Sequence, residues 1–302
     1  MTPEKQRQLA LLLMVLAPTF WAANQVGARY AAPFFPPHQL AFWRWLIALC
    51  IMLPFAWRSL RAAGPAIRAE WRDMLMLGAI GMYICGAWVY IGAQTTTATN
   101  LSLIYAASPV LIIVLSTLIY GERMTARQGL GAAACIAGIL IIIAKGTLAT
   151  FANLAFTVGD LWIAVAATGW ALYSVLLKHR ASRLDSFTRL TCITAGGVIV
   201  LVPFTIGEIL LQGITPLTAQ TVMVALVLGI VPGFGAYQAY SYIQKTLPSH
   251  IGGLVLYVIP LYSAIAAWLI LDEALRWYHG LGAVLILPGV FLATWQGAKP
   301  GE

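Results

Sequence analysis

The sequence predicts an all-α integral membrane protein: ten transmembrane helices arranged as two inverted five-helix repeats around a central cavity. Three observations predict it. The chain has 302 residues, of which 61% are hydrophobic and only 9% charged; soluble domains carry about 25% charged residues, so no water-soluble core could hide this apolar surface. The apolar residues fall into ten continuous runs, each close to the ~20 residues with which a helix crosses a bilayer. Finally, residues 105–143 return, altered, as residues 256–294. A constant shift of 151 makes nine of these 39 positions identical, among them Pro109/Pro260, Glu122/Glu273, Gly129/Gly280, Gly131/Gly282 and Gly138/Gly289. Pro, Gly and Glu have specific backbone or charge roles, so their recurrence at fixed offsets marks an internal duplication.

The runs are 8–29, 38–57, 72–93, 98–120, 126–144, 155–177, 187–208, 219–243, 249–271 and 277–296. The first continues to about Tyr30 and lacks a small-x-small cleavage site, so it is expected to stay as a span rather than leave as a signal peptide. None alternates in the manner of barrel strands. Lys and Arg in short loops set the orientation. With the N-terminus in the cytoplasm, the inside segments hold 14 of the 18 basic residues, including Arg58, Arg61, Arg68 and Arg72. Both termini are therefore expected at the cytoplasmic face of a bacterial-type inner membrane. The net charge of +8 serves topology, and no nucleic-acid partner is expected.

Five spans per half is an odd number, so the halves 1–148 and 149–302 must run in opposite orientations. The Glu122 turn then lies inside and the Glu273 turn outside, where folding or gating are their expected roles. Such inverted repeats are a common plan for secondary transporters, with the substrate near the midplane between the halves. Weaker echoes join the other spans: Trp21 with Trp170, Arg44 with Arg189, and Gly78 with Gly229.

A substrate site is expected from aromatic and polar side chains on facing helices. On the third span Tyr83, Ala87, Tyr90 and Gln94 share one helical face. On the eighth, Tyr237 and Ser241 repeat the pattern with Gln238 alongside. Trp21 with Asn24 and Trp170 with Ser174 extend it to the first and sixth spans, Asn100 and Ser108 to the fourth, and Tyr257 to the ninth. Rings supply apolar bulk and a few polar groups orient a ligand; interhelix hydrogen bonding in a packed bundle is the plainer alternative. Arg44 has two readings as well. It snorkels or caps a carbonyl, which the repeat partner Arg189 favours, or its guanidinium fork clamps a substrate carboxylate. Pro109 and Pro260 each remove a backbone donor and are expected to kink the fourth and ninth spans, either as hinges for gating or as static bends that shape the cavity. Gly131, Gly138, Gly282 and Gly289 mark the fifth and tenth spans as packing helices.

Missing motifs exclude other classes. There is no GxxxxGK phosphate loop and no CxxC, and the four cysteines and four histidines are scattered. No catalytic set, metal or cofactor is expected. All ten carboxylates fall in loops or near span ends. That predicts facilitated transport without a built-in coupling carboxylate; proton-coupled antiport is the alternative, and a channel a remoter one. The expected partners are a small-molecule metabolite and the lipid bilayer, and a monomer suffices for this plan.

Several motifs occur in order: Phe20-Trp21-Ala22-Ala23-Asn24, Trp43-Arg44-Trp45-Leu46-Ile47-Ala48, Ala107-Ser108-Pro109-Val110, Gly121-Glu122-Arg123 with Gly129, Ile259-Pro260-Leu261 and Asp272-Glu273. Together they resemble the drug/metabolite transporter superfamily in its ten-span EamA branch, over nearly the whole chain. Asp272 departs from the glycine usual at its position. The resemblance implies an exporter of small metabolites or drugs, and within the family it points to the aromatic amino-acid exporters. The expected function is export of small amphipathic metabolites, aromatic or bulky apolar amino acids foremost, by alternating access.

Overall fold

The computed structural model describes residues 2–147, 157–247 and 254–294, and all regular structure among them is helical. Helix α1 (Pro3–Ala31) starts where the Thr2 side chain accepts from the Lys5 N–H. Helix α2 spans Pro37–Ala62. Helix α3 (Gly64–Ala93) runs without interruption through a π-helical stretch, Ala79–Ala87. Helix α4 is two pieces, Ala98–Ala106 and Ser108–Tyr120, meeting at 40°. Helix α5 (Ala126–Ile143) opens on a capping box of Thr125 and Gln128, which satisfies two backbone donors reciprocally. Helices α6 (Val158–His179) and α7 (Ser186–Gln212) follow, the latter capped by the Asp185 carboxylate. Helix α8 comprises Ala219–Leu228, a π-helical Gly229–Gly235 and Ala236–Thr246. Helices α9 (Leu254–Leu271) and α10 (Trp277–Thr294) close the chain.

Eight described helices are long and apolar enough to cross a membrane, and the bent α4 makes a ninth. Helix α9 is apolar but shorter in its described part; the first residues of its expected run, 249–253, lie outside the described residues.

Pro109 explains the break in α4. It has no N–H to offer the Tyr105 carbonyl one turn earlier, and the Ser108 hydroxyl donates to that carbonyl instead, at 2.6 Å. Helix α9, by contrast, runs through Pro260 without a break.

The packing repeats itself when the halves are exchanged. Helix α1 packs on α8 and α9, as α6 packs on α3 and α4; α2 packs on α7 and α8, as α7 packs on α2 and α3. Helices α5 and α10 pack on each other. Between lipid-embedded helices there is little hydrophobic drive, so close van der Waals fit holds them together. A Cβ on Gly131 would stand 2.5 Å from the Gly289 carbonyl oxygen, and one on Gly138 would stand 3.0 Å from that of Gly282. The two glycine pairs are images of one another under the shift of 151. The two π-helical stretches also coincide under that shift to within a few residues. The wider i→i+5 turn of such a stretch rotates everything beyond it on the helix axis, and π-bulges recur at functional sites.

Candidate functional site

A cavity of about 760 Å³ lies between the two sets of helices, within the size range of small-molecule sites. Helices α1 to α4 and α6 to α9 all contribute to its wall, with Val290 from α10. It reaches the end of the bundle where Lys178 and Ser186 lie. At the opposite end the helices are tied together. The Glu273 carboxylate accepts from the Ala98 N–H (2.7 Å), the Thr99 N–H (3.2 Å) and the Thr99 hydroxyl (3.0 Å), which caps α4. The Arg29 guanidinium donates to the carbonyls of Ala93 and Gln94 at 2.9 and 3.0 Å.

Aromatic rings share the apolar wall with aliphatic side chains. Trp21 meets Tyr240 edge-on with centroids 5.6 Å apart, and Trp45 meets Tyr237 at 6.3 Å. Trp170 lies against Tyr173 at 5.4 Å. Edge-on and offset contacts are the favoured geometry of ring pairs. The polar part centres on Arg44, which is only 5% exposed. Its guanidinium carbon lies 4.4 Å over the Trp45 ring, a cation–π contact. Nη1 donates to the Tyr90 hydroxyl at 3.3 Å, and that hydroxyl donates to Asn24 Oδ1 at 3.0 Å. Nε is buried without a partner.

The structure separates the two arginines that the repeat had paired. Arg189 donates to the carbonyls of Leu177 (3.1 Å) and Arg180 (2.8 Å), closing the end of α6. That is the carbonyl-capping role. Arg44 caps no carbonyl.

Of the expected contacts, Trp21, Asn24, Arg44, Ser108, Trp170, Ser174, Tyr237, Gln238 and Ser241 line the cavity, as do Pro109 and Pro260. Three lie elsewhere, among them two from the third-span face. Tyr83 stacks on Phe204 at 4.2 Å, in the groove between α3 and α7. Tyr90 is buried behind the wall and meets the cavity through the two lining residues it bonds, Arg44 and Asn24. The expected face of α3 assumed a regular helical period; the π-helical stretch breaks that period, and Gly81, Cys85 and Val89 face inward instead. Asn100 sits at the tied end, donating to Asp160 and accepting from His279, both at 3.0 Å. The Tyr257 side chain lies outside the described residues.

Sequence reasoning missed Gln25, Trp45, Ser102, Tyr105, Tyr173, Tyr240 and Lys178 in the wall. Trp45 and Tyr240 were detectable, the first as neighbour of Arg44 and the second three residues after Tyr237. Nearness to a span end also misled about Asp160. It is third in α6 yet fully buried, bonded to Thr96 and Asn100 through Oδ1, with Oδ2 unpartnered.

At the cavity mouth Glu122 accepts from Lys178 (3.0 Å) and contacts His179 Nε2 at 3.1 Å. The Lys178 hydrogen bond, with help from its charge and from His179, holds the Glu122 carboxyl below its ordinary value. Asp73 pairs with Arg180, and Glu70 accepts from Ser182 at 2.6 Å and the Arg183 N–H at 2.9 Å. No group of three or more His, Cys, Asp or Glu among the described residues could hold a metal ion.

Comparison with known proteins bears on this architecture. An uncharacterized transporter of Archaeoglobus fulgidus is 28% identical over 283 residues, covering 94% of this chain and 96% of that one. A probable amino-acid metabolite efflux pump of Escherichia coli K12 is 22% identical over 296 residues, covering 95% and 94%. A solved crystal structure, 20% identical, superposes with a TM-score of 0.63 over 94% of this chain and 97% of its own, and so shares the fold. The model of the EamA-like transporter family matches twice, at residues 8–144 and again at 157–295. The duplicated match spans almost all ten helices, and the chain belongs to the EamA-like transporter family.

Proposed function

We propose that this protein exports small amphipathic metabolites across the cytoplasmic membrane by alternating access, with aromatic and bulky apolar amino acids as the class to test first. The observation that carries the reading is the 760 Å³ cavity between the repeats, walled by tryptophan and tyrosine rings and aliphatic side chains with polar groups set among them. Its reach to one end, with the other end tied through Glu273 and Arg29, is the arrangement of a carrier open to one side. In the expected orientation that side is the cytoplasm. The break at Pro109 gives α4 a place to bend, and the uninterrupted α9 would hinge elsewhere or move as a rod. The relative from Escherichia coli, named as an amino-acid metabolite efflux pump, agrees with this class. Counterflow of radiolabelled phenylalanine and leucine in proteoliposomes tests it. Saturable exchange above protein-free vesicles is expected; a linear, non-saturating flux would indicate a pore and sink the carrier reading.

A second reading, proton-coupled exchange, is favoured by Asp160, a fully buried carboxyl group with one unpartnered oxygen at the tied end. Substrate accumulation above equilibrium under an imposed pH gradient, lost in Asp160→Asn, would establish it over facilitated transport.

A further inference from the structure

We infer that the cavity prefers small organic anions: monocarboxylates with a bulky apolar or aromatic body and no ammonium group. This rests on the reading of the cavity as the transport site, and within its small amphipathic metabolites it ranks acids that lack an ammonium group above the amino acids.

The charge of the wall is one-sided. Arg44 and Lys178 are the charged residues that line it, and no Asp or Glu does so among the described residues. Lys178 is already paired, with Glu122 at 3.0 Å. Arg44 is not: no carboxylate oxygen lies within ion-pair distance, its hydrogen bond goes to the neutral Tyr90, and Nε is buried and bare. A buried guanidinium without a counter-charge is costly, and a group that brings the charge with it is bound correspondingly well.

The neutral polar groups beside it point the same way. Asn24 Oδ1 accepts from the Tyr90 hydroxyl at 3.0 Å, and Gln25 Oε1 accepts from the Ser263 hydroxyl. Each of these amide oxygens has thereby spent one of its two lone pairs, while each NH₂ carries two donor hydrogens, so the two amides have more donors than acceptors left for a ligand. An ionised carboxylate is acceptor-only and complements these donors. An ammonium is donor-only. It finds lone pairs only on neutral groups such as Ser108 and Ser174, whose hydroxyl protons go to the carbonyls of Tyr105 and Trp170. It also brings a second positive charge into the cavity that holds Arg44. Of the two charged groups of an amino acid, the cavity answers one.

The test compares three ligands of nearly one shape in proteoliposomes of the full chain: (S)-phenyllactate, L-phenylalanine and phenethylamine. Phenyllactate is expected to half-saturate counterflow at about tenfold lower concentration than phenylalanine, and phenethylamine not to exchange. Arg44→Gln is expected to abolish the preference for the acid and Arg44→Lys to keep part of it. If Arg44→Gln does not fold, the wild-type order of ligands decides. Phenylalanine matching or surpassing phenyllactate, or exchange of phenethylamine, overturns the inference. Titration of tryptophan fluorescence in detergent separates it from the transport reading. The same order of affinities without any counterflow would sink transport and leave the ligand class standing. A reversed order, or no saturable binding of any of the three, overturns the ligand class.

Discussion

Cys135 Sγ lies 3.4 Å from the carbonyl oxygen of Ile286, and the two residues are 151 positions apart. That is the repeat shift, so a residue touches its own duplicate and the pseudo-two-fold axis passes between α5 and α10. At such an axis the helices approach as closely as their smallest side chains permit. Gly131→Leu is therefore expected to lower stability by about 1–3 kcal/mol through overpacking. Gly129→Ala, where a Cβ would have nothing nearer than Met124 at 3.9 Å, should stay within about 0.5 kcal/mol. Thermal unfolding midpoints of the detergent-solubilised variants check both.

Tyr90 holds Arg44 to Asn24 from behind the cavity wall. Tyr90→Phe removes one hydrogen bond from each, a loss of about 1 kcal/mol or roughly fivefold in affinity. The half-saturating concentration of the exchanged substrate should rise by that factor with the maximal rate unchanged. A fall in maximal rate alone would place Tyr90 in the transport motion instead.

Glu273 caps α4 across the boundary between the halves. Glu273→Ala is expected to cost about 1–2 kcal/mol, the range of a lost N-cap, and to loosen the tied end. A cysteine at Thr99, in a background without the native cysteines, should then react faster with a membrane-impermeant maleimide than it does with Glu273 present. Equal rates would show that the end is held by other contacts.

Asp272 adopts a left-handed backbone, φ +52°, as does its repeat counterpart Gly121 at φ +67°. Glycine bears this conformation without the Cβ clash. Asp272→Gly is expected to stabilise the protein by up to about 1 kcal/mol, read as a higher unfolding midpoint, and Gly121→Val to destabilise it.

The Glu122 cluster is sensitive to acid. Its carboxyl titrates below the ordinary value of 4.5, chiefly through Lys178. A depressed carboxylate contributes stability that is present above the ordinary value and lost as pH falls through the lowered one. The contribution is small, because Glu122 is exposed and screened. Between pH 5 and pH 3 the unfolding midpoint should fall less steeply in Glu122→Gln than in the wild type.

Much of this was legible in the sequence because it depends on local or regular features. The apolar runs foretold the membrane helices, the recurring glycines foretold the α5–α10 contact, and Pro109 foretold the break in α4. Trp21, Trp170, Tyr237 and Ser241 were found at the cavity because their helices keep a regular period up to those residues, or resume it before them. Tyr83 was misplaced because a π-helical stretch leaves no signature in a hydrophobic pattern.

What the sequence determined by itself is the class, the duplication and the helices, since apolar length and chain-local charge are what a bilayer reads. The tertiary structure decided which side chains meet. Arg44 and Arg189 look alike in the repeat, yet Arg189 caps carbonyls at a helix end and Arg44 stands at the cavity against Tyr90 and Trp45, without a counter-charge. Asp160 sits near a span end, yet Thr96, Asn100 and the neighbouring helices bury it. These outcomes depend on how far each helix is rotated and how closely it approaches its neighbours: Arg44 meets Tyr90 from 46 residues away and Asp160 meets Asn100 from 60, where sequence proximity carries no information.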